Sequence, residues 1–208
     1  MTTNSEETCI VKIKDLDNLI KFTAEMRLSV MSESKIESLN NFPIELQSRL
    51  FSYDITLFES IRTKTPELCS IAVSVEGDAL ESVPDSLKTP ELCRLAVARS
   101  GYAINFVPDH LKTPELYRLA VENDGSVLEF VPEELKTPEL CRLAVAQWGK
   151  ALEYVPDGLK TAQLCRLAVE NNGLGLEFVP DHLKTPELCR LAMEKNEKVR
   201  CHVPKIIS

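Results

Sequence analysis

The sequence predicts an all-α solenoid built from six repeats of 24 residues. Three observations carry that expectation. A lysine returns at Lys64, Lys88, Lys112, Lys136, Lys160 and Lys184 with no insertion or deletion between copies. Each copy opens with residues that start helices, and the first five carry a glycine halfway along. Between those signals, apolar residues recur at helical spacing.

The unit from Lys136 to Leu159 shows the logic. Thr137 can accept a hydrogen bond from a free amide of the first turn, and Pro138 suits the first helical position because a missing N–H costs nothing there. Glu139 adds negative charge at the positive end of the helix dipole. Gly149 closes the helix, and its counterparts are Gly77, Gly101, Gly125 and Gly173. The expectation is a left-handed glycine cap at these positions. On the wheel, Leu140, Cys141, Leu143, Ala144 and Val145 share one apolar arc, with Glu139, Arg142 and Ala146 opposite. Beyond the glycine, Ala151, Leu152, Tyr154, Val155 and Leu159 form a second apolar set. Pro156 keeps Val155 out of α geometry, so this second element is a short helix or 3-10 turn. Neither element buries its apolar face alone, and stacking the repeats does so.

A leucine-rich-repeat horseshoe is the alternative. Leu164, Leu167, Val169, Asn172 and Leu174 fit its pattern, with an asparagine ladder at the turn. The other repeats do not: Glu76, Ser100, Asp124 and Trp148 occupy the asparagine slot. The invariant alanine, Ala72 to Ala192, suits a seam where helices approach closely. The helical solenoid is the favoured reading.

The flanks divide the chain into an N-terminal helical cap, residues 1–63, and the repeats with their C-terminal cap, residues 64–208. Helices are expected over Asp15–Arg27 and after Ser32 or Ser34. Pro43–Ser60 reads as a worn repeat, since PIELQSRL echoes TPELCRLA. At the other end Glu197 replaces the glycine, and Lys198, Arg200 and Lys205 follow. That segment reads as a polar cap or as a short basic binding tail.

The 24 Lys and Arg face 32 Asp and Glu, for a net charge of −8. Residues 1–63 hold 7 basic and 10 acidic side chains, so neither part is basic. This argues against a surface that tracks nucleic-acid phosphates. No apolar run is long enough to span a membrane, and MTTNSEETCIVKIK lacks the apolar core of a secretory signal.

The run from Ala168 to Thr185, AVENNGLGLEFVPDHLKT, resembles an uncharacterised bacterial helical repeat that reads roughly A-V-x-x-N-G-x-A-L-x-Y-A-x-x-x-L-K. The likeness extends over Lys64–Ala192. There is a weaker similarity to the leucine-rich variant repeat, in which an α-helix alternates with a 3-10 helix. The first family occurs in host-associated bacteria, often in effector-like proteins. The resemblance therefore implies a scaffold and a possible effector role. The iron–sulfur cysteine cluster of some members of the second family does not carry over, because only Cys9 lies near this N-terminus.

Cys69, Cys93, Cys141, Cys165 and Cys189 share one slot, with Tyr117 in the third repeat. Equivalent helical positions lie about 8–10 Å apart, too far for a disulfide, which needs Cα atoms within about 7 Å. A shared zinc needs sulfurs about 2.3 Å from one ion. The expectation is a ladder of buried free thiols acting as small hydrophobes in a reducing compartment. The histidines, His110, His182 and His202, supply no base beside a nucleophile. No catalytic, cofactor-binding or metal-binding residues are assigned.

Glu91–Arg94, Glu115–Arg118, Glu139–Arg142 and Glu187–Arg190 are expected as i, i+3 pairs on a solvated stripe. Binding information belongs where repeats differ. The candidate partner-binding residues are Arg99, Tyr102, Asn123, Asp124, Gln147, Trp148, Lys150, Asn171 and Asn172. Trp148, the only tryptophan, either anchors a partner or folds back on its own short helix. The functional expectation is a non-catalytic protein-interaction scaffold of bacterial type. It would work in the bacterial cytoplasm or, as an effector, in a host cytosol. The alternatives are an enzyme with its site at the junction of cap and repeats and, more weakly, a nucleic-acid binder.

Overall fold

The computed structural model describes residues 44–196. The expected helices near Asp15–Arg27 and Ser32, and the stretch from Glu197 onward, lie outside them, as do Cys9, Cys201 and His202. Every regular element among the described residues is helical, and the chain is an all-α solenoid. Of the residues that fitted the horseshoe pattern, Leu164, Leu167 and Val169 lie within a helix running Ala162–Asn171, Asn172 is its C-cap and Leu174 lies in the 3-10 helix that follows. The horseshoe alternative is therefore set aside.

Residues 1–88 form one compact unit and residues 89–208 another. In the first, α1 (Ile44–Tyr53), α2 (Thr56–Ser60) and α3 (Pro66–Val75) are followed by 3-10 turns at Gly77–Ser82 and Asp85–Leu87. α1 packs on α3, and α2 packs on the first 3-10 turn. The worn repeat therefore keeps its first helix, but its second element is α-helical. Phe51 and Phe58 bury their rings edge to face at 5.7 Å. Lys64 Nζ sits 5.0 Å from the Phe58 ring centre and donates to the Ile61 carbonyl at 2.6 Å.

The second unit holds α4 (Pro90–Arg99), α5 (Pro114–Asn123), α6 (Pro138–Gln147), α7 (Ala162–Asn171) and α8 (Pro186–Lys195). The first four are each followed by a six-residue and then a three-residue 3-10 helix, as at Gly149–Tyr154 and Asp157–Leu159. Each helix begins as its sequence dictates. Thr89, Thr113, Thr137, Thr161 and Thr185 accept from the backbone N–H three residues on, all at 3.2 Å. Successive helices form one layer and successive 3-10 turns the other, and each turn also packs on the next helix.

Between the layers lies a continuous core. Cys141, Ala144, Val145, Ala151 and Leu152 have no measurable exposure, and Val155 is 3 % exposed. Full burial of a leucine such as Leu152 contributes about 1.5–3 kcal/mol, and the slot recurs as Ile104, Leu128 and Leu176. Leu143 departs from its expected place. It is only half-buried, like Leu95, Leu119, Leu167 and Leu191.

The glycines correct another expectation. None has a positive φ, so they are not left-handed caps. Each helix instead ends on an extended residue, such as Trp148, whose N–H donates back to Ala144 at 2.8 Å. Glycine is required at the next position because the following repeat comes too close. A Cβ added at Gly101, Gly125, Gly149 or Gly173 would stand 2.6, 2.5, 2.4 or 2.6 Å from the carbonyl oxygen of Ala120, Ala144, Ala168 or Ala192. The repeating glycine and the repeating alanine are two halves of one backbone contact.

The repeat lysines close the second 3-10 turn. Lys112, Lys160 and Lys184 reach the aspartates three residues earlier at 2.8, 2.9 and 2.9 Å. The hydrogen bond from Lys112 holds the Asp109 carboxyl below its ordinary value, and Lys184 does the same for Asp181. Where Glu133 replaces the aspartate, Lys136 instead donates to the Tyr154 carbonyl at 2.9 Å.

Candidate functional site

Variable positions cluster at the corner where each α-helix gives way to its 3-10 helix. Tyr102, Asn123, Asp124, Gln147 and Trp148 line one shallow depression of about 400 Å³, together with Gly125 and Ser126. Arg99, Lys150, Asn171 and Asn172 do not line it.

Several of these side chains serve the stack itself. Asn123 Oδ1 accepts from Gly101 N–H at 3.1 Å while its Nδ2 donates to the Ala98 carbonyl at 2.9 Å. Asn171, two repeats along on α7, does the same, at 2.8 Å to Gly149 N–H and 2.9 Å to the Ala146 carbonyl. Gln147 donates to the Glu122 carbonyl at 3.0 Å. Each tie satisfies backbone groups left open at the end of the preceding helix. Asp124 and Asn172 each accept from the backbone N–H two residues on, at 2.8 and 3.0 Å, and so start their 3-10 helices.

The aromatic residues behave differently. The Tyr102 ring is 42 % exposed, the only large hydrophobic side chain of the second unit so open among the described residues. Its hydroxyl pairs with Ser126 Oγ at 2.5 Å, and its ring meets Phe130 edge to face at 5.9 Å. Trp148 folds back as the intramolecular reading expects. Its ring lies 6.4 Å from that of Tyr154 at an angle of 22°. Partial burial pushes the Tyr154 hydroxyl up, and the Glu153 and Glu129 carboxylates add to the shift. Ser126, Phe130 and Tyr154 were missed from the sequence. Comparing the same column across repeats would have paired Ser126 with Tyr102.

On the opposite face the expected ion pairs are partly redrawn. Arg190 meets Glu187 at 3.3 Å as expected. Arg118 instead bonds Glu122, four positions on, at 2.9 Å. Arg166, which follows Gln163 and belongs to no expected pair, bonds Glu170 in the same way at 2.7 Å. The expected Glu91–Arg94 and Glu139–Arg142 pairs do not form.

Cys69, Cys93, Cys141, Cys165 and Cys189 are buried and in no disulfide. Burial raises Cys69, Cys141, Cys165 and Cys189, and takes Cys141 from 9.0 to about 11. The lysine five residues earlier pulls each value down and does not prevail. A thiol held protonated is a poor nucleophile. The folded Cys141 keeps its proton to higher pH than the unfolded chain does. Its contribution to stability is therefore complete below pH 9.0 and is lost as pH rises through about 11. Stability is expected to fall by about 1.4 kcal/mol per pH unit in that window from Cys141 alone. Denaturant midpoints at about pH 8 and about pH 10.5 check this, because Cys141→Ala should lose visibly less over that interval.

Among the described residues no group of three His, Cys, Asp or Glu is placed to hold a metal ion, and no helix is long and apolar enough to cross a membrane. No curated protein and no solved structure matches the chain. Part of the chain is similar to a known family: residues 113–160, two consecutive repeats that include Asn123, Asp124, Gln147 and Trp148 but not Tyr102, match the one described as Domain of unknown function (DUF4116).

Proposed function

We propose that this protein is a non-catalytic protein-interaction module that engages its partner at the corner depression between Tyr102 and Trp148. One observation carries the reading. The residues the repeats share are committed to the core, the helix starts and the backbone contact between repeats. Tyr102, by contrast, presents a large ring to solvent beside a polar floor. A rigid exposed aromatic at the rim of a concavity is a common binding anchor. Its hydroxyl and ring are held by Ser126 and Phe130, so little side-chain freedom is lost on binding.

The buried, protonated thiols suit a reducing compartment, and the likeness of the repeats to those of host-associated bacteria favours an effector or regulator. The net charge of −8 and the lack of a basic surface weigh against nucleic acid.

Affinity capture from a host or bacterial lysate, read against a thermal-shift control, tests the corner. Capture should be lost with Tyr102→Ala and kept with Tyr102→Phe, which retains the ring. The melting temperature should shift by no more than a few degrees, as for an exposed side chain. Undiminished capture by a folded Tyr102→Ala protein would remove the corner from the interface.

A further inference from the structure

The outer surface of the α-layer carries a groove between α6 and α7 and another between α7 and α8, and the first differs chemically from the second. It encloses about 450 Å³, lined by Pro138 and Arg142 from α6 and by Gln163, Leu164, Arg166, Leu167 and Glu170 from α7, with Leu159 and Thr161 at the turn between them. Its apolar floor is Leu159 and Leu167, both half-buried, with Leu164 beneath.

Charge singles this groove out. Arg166 is neutralised by Glu170 at 2.7 Å. Arg142 makes no ion pair among the described residues: Ala146 stands where Glu170 stands one repeat later, and Glu139, three residues before Arg142 on the same face, is not within ion-pair distance as Glu187 is of Arg190. Gln163 also replaces the glutamate found there in α6 and α8, Glu139 and Glu187. The next groove, between α7 and α8, is built alike but includes Glu187 and Glu194 beside Arg166 and Arg190, so its charges balance. Arg94 also makes no ion pair, but the acid on the helix after it, Glu115, is kept, whereas here Gln163 replaces it. The α6–α7 groove therefore offers an exposed, unpaired guanidinium beside a leucine floor with the facing acid removed.

We infer that the α6–α7 groove docks a short segment of a partner protein in which a Glu or Asp lies beside a leucine-like residue. The carboxylate takes a forked pair of hydrogen bonds from Arg142, the geometry guanidinium is suited to. The apolar side chain covers Leu159 and Leu167 and removes their surface from water. This surface is separate from the corner and rests on the reading of the chain as a protein-binding module. The local charge runs against the molecule's overall charge of −8, so a preference for an acidic segment has to come from the groove itself.

The test is fluorescence anisotropy of the full chain with a labelled peptide, acetyl-Gly-Leu-Glu-Leu-Glu-Gly, and its Lys-for-Glu and Ala-for-Leu forms. The Glu–Leu peptide should bind at least about tenfold more tightly than either control, the scale of one charge-assisted contact. Ala146→Glu gives Arg142 the internal partner that Glu170 gives Arg166, and Gln163→Glu restores the usual acid. Each should weaken binding several-fold, by about tenfold for Ala146→Glu. Neither should lower the melting temperature, because both residues already stand at the equivalent places in other repeats. Equal binding of the Lys peptide, unchanged affinity in a folded Ala146→Glu protein, or no binding of the Glu–Leu peptide at about 1 mM each overturns the assignment. The corner experiment reads out separately, so capture lost with Tyr102→Ala would leave the module reading standing even if the groove assignment fell.

Discussion

Gly149→Ala is expected to destabilise the protein by about 3 kcal/mol, while Gly158→Ala is expected to be neutral or slightly stabilising. The new methyl at Gly149 would lie 2.4 Å from the Ala168 carbonyl oxygen and 3.0 Å from the Asn172 nitrogen. Both obstacles are backbone, so no rotamer change relieves them. The 3-10 turn would have to lift from α7, weakening a contact made through the buried core. At Gly158 a Cβ meets nothing within 4 Å, and the substitution only restricts the unfolded chain. Urea denaturation of the two variants gives the comparison. A third variant, Gly149→Asn, separates the two explanations for the glycine. A left-handed cap would accept asparagine at small cost, but a steric contact rejects it as firmly as alanine. Tolerance of asparagine with rejection of alanine would refute the close-approach account.

Asn171→Ala is expected to cost about 2–3 kcal/mol although its side chain is exposed at the corner. The substitution removes the bond to Gly149 N–H at 2.8 Å and the bond to the Ala146 carbonyl at 2.9 Å. Gly149 is buried, so its N–H would be left without a partner, and that orphaned donor accounts for most of the cost. Asn171→Asp keeps the acceptor and loses the donor, and it places a negative charge at the C-terminal end of α7. Its destabilisation should be smaller than that of alanine below about pH 4, where the carboxyl is protonated and the charge is gone. Hydrogen exchange at the Gly149 amide provides the local measurement. It should quicken in Asn171→Ala well beyond the change at Gly101, which Asn123 holds. Equal exchange at the two glycines would mean that the asparagine tie is not what protects them.

Much of the architecture was legible from one repeat. Thr, Pro and Glu at the helix start act on amides within a turn, and the burial of Leu140, Cys141, Ala144 and Val145 follows from their wheel positions. The candidate site was less legible. The corner was located from the variable columns, but Asn123, Gln147 and Asn171 are there to bond the preceding repeat, and Trp148 leans on Tyr154. The unpaired Arg142 was hidden too. Its freedom depends on which glutamate each arginine chooses, and that is a matter of geometry across one helix face.

By itself the sequence determined the period, the helical starts, the helical class and the buried column of thiols, because each follows from interactions within a few residues or from a side chain's place on a wheel. Tertiary structure decided what joins one repeat to the next. The carbonyl that demands a glycine at Gly149 belongs to Ala168, and the amide that bonds it belongs to Asn171. Contacts between residues about a repeat apart are set by how closely two layers pack, and no local preference of the chain encodes that distance.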